Sequence, residues 1–306
     1  MPTQFTPLQK KLITKINALK KEKEAIILAH NYQRPEIYEV ADFIGDSLEL
    51  SRQAAETKAK IIVFCGVHFM AESAKLLSPE KKVLLPNIHA GCFLADMINA
   101  ERLRKEKKKH PKATVVCYVN TTAEVKAECD IACTSANAIK IVESLPQDEI
   151  IFVPDQNLGA YVQRFTKKKL ILWPGFCYVH TRITSEKVKL AKEKHPNAPF
   201  IAHPECPPAI IDLADFVTST SGMIKVAREN PAQEFLIGTE AGMGERLRQE
   251  VPKKHFYLLG PECINMKQIT LENTYECLLE EKNEITIDTE IARRAKKSLD
   301  EMLKVS

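Results

Sequence analysis

Three copies of one pattern run through this chain of 306 residues, and that repetition constrains the fold more than any single motif does. The run Ile26-Ile27-Leu28-Ala29-His30-Asn31-Tyr32 is echoed by Thr114-Val115-Val116-Cys117-Tyr118-Val119-Asn120 and again by Phe200-Ile201-Ala202-His203-Pro204-Glu205. Each is a strand-forming stretch closed by a polar pair two residues apart: His30/Tyr32, Tyr118/Asn120 and His203/Glu205. Twelve residues beyond the first member of each pair stand Asp42, Asp130 and Asp215. Five residues later come three hydroxyls, Ser47, Ser135 and Thr220. The anchors His30, Tyr118 and His203 are 88 and 85 residues apart, so one unit takes about a third of the chain.

The second half of each unit repeats in the same order. A buried strand (Ile61 to Cys65, Ile150 to Val153, Phe235 to Ile237) leads into a turn and a helix opening at Val67-His68-Phe69-Met70, Asp155-Gln156-Asn157-Leu158 or Thr239-Glu240-Ala241-Gly242. A further apolar strand follows (Val83 to Leu85, Leu170 to Trp173, Phe256 to Leu259), then a Pro-containing loop with a cysteine. Strands alternating with helical patterns predict parallel sheets with helices on both faces. The expected fold is α/β: three repeated αβα sandwich units arranged around a pseudo-threefold axis. The expected division is 1–110 for the N-terminal helix and first unit, 111–195 for the second, and 196–306 for the third unit and C-terminal helix. Gln9 to Lys23 and Asp288 to Lys304 lie outside the repeat and read as amphipathic helices packed on it.

Composition narrows the class of protein. With 44% apolar residues the chain has ample material for buried cores. The opening Met1-Pro2-Thr3-Gln4-Phe5 lacks the basic-then-apolar pattern of a signal peptide, and no apolar run approaches the roughly 18 residues of a membrane span. A cytoplasmic protein with no membrane partner is expected. Nine cysteines, an odd number spread over a long chain, make a poor disulfide framework and suit thiols kept reduced. The net charge of +4 is too small for a nucleic-acid surface, and Lys105 to Lys109 and Lys167 to Lys169 read as solvated helix ends or turns. Small anionic substrates are compatible with it.

Cys92, Cys177 and Cys263 each follow the last strand of a unit, 85 and 86 residues apart, and so keep the period of the repeat. A lone cysteine is most simply a small apolar packing residue, but a matched position in all three repeats points to three thiolates converging at the axis. Three thiolates leave zinc or an iron–sulfur cluster. Structural zinc wants four ligands, commonly in Cys-x-x-Cys pairs that this chain lacks, so the chemistry favours the cluster. A cubane with three cysteine ligands leaves one iron free to act as a Lewis acid. Cys129 and Cys133, four apart and expected to share a helix face, read with Cys206, Cys65, Cys117 and Cys277 as packing residues.

In parallel α/β sheets ligands bind beyond the carboxyl ends of the strands, where the three polar pairs are expected to point. A two-residue spacing places both members of a pair on one side of an extended chain. The turns Gly45-Asp46-Ser47, Thr134-Ser135-Ala136-Asn137 and Ser219-Thr220-Ser221-Gly222 precede helical patterns. Each can serve simply as an N-cap, and three together can offer backbone N–H groups to phosphate or carboxylate. The residues thus suggest a small polyanionic substrate, with acid–base work falling to Glu205, the histidines and the tyrosines.

The chain also resembles the quinolinate synthase family along nearly its whole length. The resemblance is carried by Ala29-His30-Asn31-Tyr32-Gln33, Ala41-Asp42-Phe43-Ile44-Gly45-Asp46-Ser47, Phe69-Met70-Ala71-Glu72, Tyr118-Val119-Asn120, Cys133-Thr134-Ser135-Ala136-Asn137-Ala138, Pro154-Asp155-Gln156-Asn157-Leu158-Gly159, His203-Pro204-Glu205-Cys206-Pro207, Gly238-Thr239-Glu240 and Asn265-Met266-Lys267. It implies an enzyme of NAD biosynthesis that condenses iminoaspartate with dihydroxyacetone phosphate. It also implies a [4Fe–4S] cluster on Cys92, Cys177 and Cys263. His30, Ser47, Tyr118, Asn120, Ser135, His203, Ser219 and Thr220 are implied to bind substrate carboxylates or phosphate. Glu205, Tyr32, Tyr118 and His180 are implied for the proton transfers, and a transient contact with the enzyme that supplies iminoaspartate is a further implied partner. Some relatives carry a cysteine-rich segment near the third ligand, whereas Cys263 is followed here by Ile264-Asn265-Met266, which leaves redox control by neighbouring thiols without support. The rival readings are a cluster-bearing reductase or radical transferase, which would need an external electron donor, and a non-catalytic iron or redox sensor, which would need a partner surface.

Overall fold

Each repeat folds as one four-stranded parallel sheet whose strand order runs second, first, third, fourth. The computed structural model describes residues 4–305. The first sheet holds β1 (Ala25–His30), β2 (Phe43–Gly45), β3 (Ile61–Cys65) and β4 (Lys82–Leu84); the second holds β5 (Thr114–Tyr118), β6 (Ile131–Cys133), β7 (Glu149–Val153) and β8 (Lys169–Leu172). The third holds β9 (Phe200–Ala202), β10 (Phe216–Val217), β11 (Glu234–Gly238) and β12 (His255–Leu258). Register is repeated too: Ala25 pairs with Ile61, Thr114 with Ile150 and Phe200 with Leu236. The central strands are continuous apolar runs, buried throughout in Ile61–Cys65, because helices cover both sheet faces.

The repeated aspartates are builders of this fold. Asp42 Oδ2 accepts the Ile27 N–H at 2.7 Å, Asp130 Oδ2 that of Val115 at 2.8 Å, and Asp215 Oδ2 that of Phe200 at 2.7 Å. Each aspartate N–H donates back to the carbonyl of the same residue. Every second strand is thereby pinned beside the first just before it starts. Those second strands are only two or three residues long, which is why hydrophobic periodicity does not announce them.

Three expectations are corrected at this level. The polar pairs do not lie along extended strands: β1 ends at His30, β5 at Tyr118 and β9 at Ala202, and the chain turns at once, with Gln33 N–H donating to His30 O and Cys206 N–H to His203 O. Cys129 and Cys133 share no helix face either, since Cys133 ends β6 and Cys129 precedes it. Of the three helices expected after the third strands, two open as the pattern suggests, at His68 and Gln156. The third starts only at Met243, because Glu240 turns its carboxylate back onto the Gly242 N–H.

The terminal helices are Pro7–Glu22, opened by a Thr6/Gln9 capping box, and Thr289–Val305. The first packs on β1 and the helix Leu271–Glu280. The second lies across β6 and the helices His68–Leu77 and Ala123–Lys126. Among the described residues no helix is long and apolar enough to cross a membrane.

Candidate active site

The loops beyond the carboxyl ends of the strands surround a cavity with walls from all three units. The first unit contributes His30, Tyr32 and Ser47; the second contributes Tyr118, Asn120, Ser135 and His180; the third contributes His203, Glu205 and Thr220. Cys92, Cys177 and Cys263 line the same space. Ser219 does not. It caps the helix Thr220–Glu229, and its hydroxyl donates to Asp46 Oδ2 at 3.1 Å, across the seam between third and first units. Thr220 strengthens that seam by accepting from Asn31 Nδ2 at 3.0 Å.

Close backbone approach brings the last two cysteine loops inward. A Cβ added at Gly175 would run into the Pro154 carbonyl, and one at Gly260 into that of Thr239, so only glycine lets these loops lie against the preceding turn. Cys263 is then held by its own N–H, which donates to Glu240 Oε1 at 2.9 Å. Lys267 Nζ sits 3.0 Å from the same oxygen, offsetting a carboxyl that burial raises.

The three thiols suit a soft metal. No disulfide joins any cysteine among the described residues. Burial pushes Cys92 up to about 12 and raises Cys177 and Cys263 as well. The charge of Cys263 acts on Cys92 and that of Cys92 on Cys177, which places the three sulfurs in one electrostatic neighbourhood. Protonated alone, such thiols release their protons to a metal that compensates the charge. Cys177 also belongs to a second donor set: its ligand atom and those of His180 and Glu205 lie within 4.8 Å of one another.

Beside the thiols stands a buried cluster of a carboxylate, an imidazole and two phenols. Glu205 Oε2 lies 2.7 Å from His180 Nδ1, a close contact that is off the hydrogen-bonding direction and leaves Nδ1 without an aligned partner. Burial alone would raise Glu205, but His180, His203 and the Tyr118 hydroxyl outweigh it and hold the carboxylate down at about 2. Burial and the Glu205 charge drive Tyr32 and Tyr118 the other way, so both remain phenols. The His180 Nε2 and Tyr32 hydroxyl both hydrogen-bond the Thr239 hydroxyl, at 2.9 and 2.5 Å.

His30 and His203 share one geometry in different units. In each, Nδ1 accepts the backbone N–H two residues on, from Tyr32 at 3.2 Å and from Glu205 at 3.3 Å. Burial lowers both rings to about 3, so they are neutral. A neutral ring that accepts at Nδ1 carries its proton on Nε2. Both histidines are therefore fixed as Nε2–H donors, a form suited to carboxylate or phosphate oxygens.

Comparison with known proteins identifies the family. Residues 14–304 match the family model described as quinolinate synthetase A protein. The chain belongs to the quinolinate synthase family. It is 52% identical over 297 residues to the quinolinate synthase of Alkaliphilus metalliredigens, covering 96% of this chain and 98% of that one. It is 54% identical over 287 residues to that of Methanoregula boonei, covering 93% and 95%. It is 53% identical over 293 residues to quinolinate synthase 2 of Methanosarcina acetivorans, covering 95% and 94%.

Several polar residues of this quinolinate synthase family site were given no role in the sequence reading. Asp46, Glu240 and Asn265 line the cavity, and Thr239 joins two of its expected acid–base groups. All four stand inside motifs that carry the family resemblance, so the signal was present. What the sequence lacks is the pairing of Thr239 with Tyr32, a contact across 207 residues. Of the other cysteines, Cys65 and Cys117 lie buried in β3 and β5, Cys277 is buried in Leu271–Glu280, and Cys206 Sγ donates to Gly238 O at 3.3 Å.

Proposed function

We propose that this member of the family condenses iminoaspartate with dihydroxyacetone phosphate to give quinolinate, one phosphate and two waters, as a step of NAD biosynthesis in the cytoplasm. Atoms balance without an oxidant or reductant, so electron transfer is not required. Cys92, Cys177 and Cys263 would hold a [4Fe–4S] cluster. When bound, the cluster supplies an iron without a protein ligand that acts as a Lewis acid on a departing hydroxyl. The observation that carries the reading is the convergence on one cavity of three periodic cysteines with Glu205, His180 and two neutral histidines.

The protein's own groups divide the remaining work. His30 and His203 donate from Nε2 to anionic oxygens, and Ser47, Asn120, Ser135 and Thr220 complete the cradle, with Ser219 supporting it through Asp46. Glu205, kept ionised, accepts a proton from carbon or nitrogen during condensation and ring closure. Tyr32, Tyr118 and His180 return protons to leaving oxygens, with Thr239 linking Tyr32 to His180. Iminoaspartate hydrolyses readily, which favours a transient contact with the enzyme that supplies it. The units are assigned to residues 1–110, 111–195 and 196–306, each spanning one sheet, around a pseudo-threefold axis.

The test is to purify the protein without oxygen, measure iron and sulfide, and assay quinolinate from the two substrates. Wild type should carry about four irons per chain, and Cys92→Ala, Cys177→Ala and Cys263→Ala should each lose both cluster and activity. Full iron content in any one of these variants would overturn the ligand set. A single zinc per chain would point instead to the Cys177, His180 and Glu205 donors.

A further inference from the structure

Lys126 is entirely buried and does not line the cavity. A buried ammonium must be fully partnered or it costs several kcal/mol. Its partners are specific: Nζ donates to Val119 O at 2.8 Å and to Thr121 O. These carbonyls flank Asn120, the residue of the β5 loop that faces the cavity. The Asn120 Oδ1 is buried and has no hydrogen-bond partner among the described residues, although most buried polar atoms find one.

The other side of Lys126 is built by the first unit. The Phe69 ring centroid lies 5.5 Å from Nζ, within cation–π range. Glu72, one helical turn further on, shares the electrostatic neighbourhood of Lys126: burial raises Glu72 and lowers Lys126, and each group's charge opposes that shift in the other. Its Oε2 also accepts the Ala123 N–H at 3.0 Å, at the start of the helical turn that carries Lys126. The Phe69-Met70-Ala71-Glu72 motif thus grips the turn from a neighbouring unit, a role that the catalytic scheme does not use.

We propose that Lys126, flanked by Phe69 and Glu72, is a positioning residue that fixes the backbone on both sides of Asn120 and aims its amide, with the unpartnered Oδ1, at a hydrogen-bond donor of the substrate. Without Nζ, the buried Thr121 carbonyl loses its donor and the Val119 carbonyl keeps only the Thr121 N–H, so the peptide planes around Asn120 are held less firmly. A displacement of about 1 Å in a substrate-orienting group costs on the order of 100-fold in rate. Lys126 acts only through Asn120, so removing either should abolish the same contribution. The kinetic part of this claim rests on the proposed reaction; the structural part does not.

The experiment is a double-mutant cycle on the anaerobically purified holoenzyme with Asn120→Ala, Lys126→Met and the pair, with iron content and hydrogen exchange measured on each. Each single variant should lose about 100-fold in kcat/KM at wild-type iron content. The double variant should fall within about threefold of the worse single one. Exchange in the peptide spanning 118–123 should rise in Lys126→Met and not in Asn120→Ala. Losses that multiply in the double variant would overturn the proposal. So would unchanged exchange in Lys126→Met, and this readout holds even if wild type makes no quinolinate, a result that would sink the reaction instead. Should Lys126→Met not fold, Glu72→Gln carries the same cycle, at a residue that does not line the cavity. It is expected to give a smaller rise in exchange and a loss that does not multiply with Asn120→Ala, and multiplication there would equally overturn the proposal.

Discussion

Glu205 and His180 face each other at 2.7 Å inside a cavity whose walls come from three separate sheets. Neither solvent nor a surface cation stabilises the carboxylate; His180, His203 and Tyr118 do. Glu205→Gln keeps the shape of the side chain and removes its charge. Quinolinate formation should fall by roughly 10²–10⁴-fold while iron and sulfide stay at wild-type levels. Activity within about threefold of wild type would remove Glu205 from the proton transfers.

Thr239 joins Tyr32 to His180 through one hydroxyl. Thr239→Val retains the branched shape but leaves two buried polar groups short of a partner, at a cost of about 1–3 kcal/mol. We expect about a tenfold or greater loss of kcat and near-complete recovery in Thr239→Ser. Steady-state kinetics on the three proteins decide it, and equal losses in Val and Ser variants would count against the bridge.

At Gly260, the missing Cβ is what allows the Cys263 loop to lie against Thr239. Gly260→Ala forces that loop outward, three residues before the cysteine. Iron content per chain after anaerobic purification should drop well below wild type, with the fold retained by circular dichroism. Gly91→Ala, where an added Cβ meets little, serves as the control and should retain its iron.

A pH dependence of stability arises far from the cavity. Glu281 ends the helix Leu271–Glu280 in a left-handed conformation and bridges Lys23 at 2.7 Å and Lys82 at 2.6 Å. These hydrogen bonds lower its carboxyl from 4.5 to about 2. A carboxyl depressed on folding contributes stability above its unfolded pKa and loses it as pH falls through the folded value. Glu281→Gln should lower Tm by on the order of 1–3 °C at pH 7. The gap between the two proteins should narrow as pH drops below about 4.5. A constant gap from pH 7 to pH 3 would exclude the ion pairs as its cause.

How far the sequence goes is clear from individual residues. The periodic cysteines, His30, Tyr118 and His203 were legible because a repeat converts distance along the chain into equivalence in space. The central strands were legible because sheets covered on both faces require unbroken apolar runs such as Ile61–Cys65. β2, β6 and β10 were not, since two or three residues carry no period and their placement depends on Asp42, Asp130 and Asp215 reaching back to another strand. Thr239 and Lys126 escaped notice for a related reason. Their importance lies in partners from other parts of the chain, and nothing local in the sequence states who those partners are.

The seams described above carry a consequence for how the protein matures. Because Asn31 meets Thr220, Asp46 meets Ser219 and Phe69 meets Lys126, no single lobe owns a finished reaction chamber. A nascent chain with two lobes complete would still lack a third of the chamber wall, and at most two of Cys92, Cys177 and Cys263 would be in reach of one another.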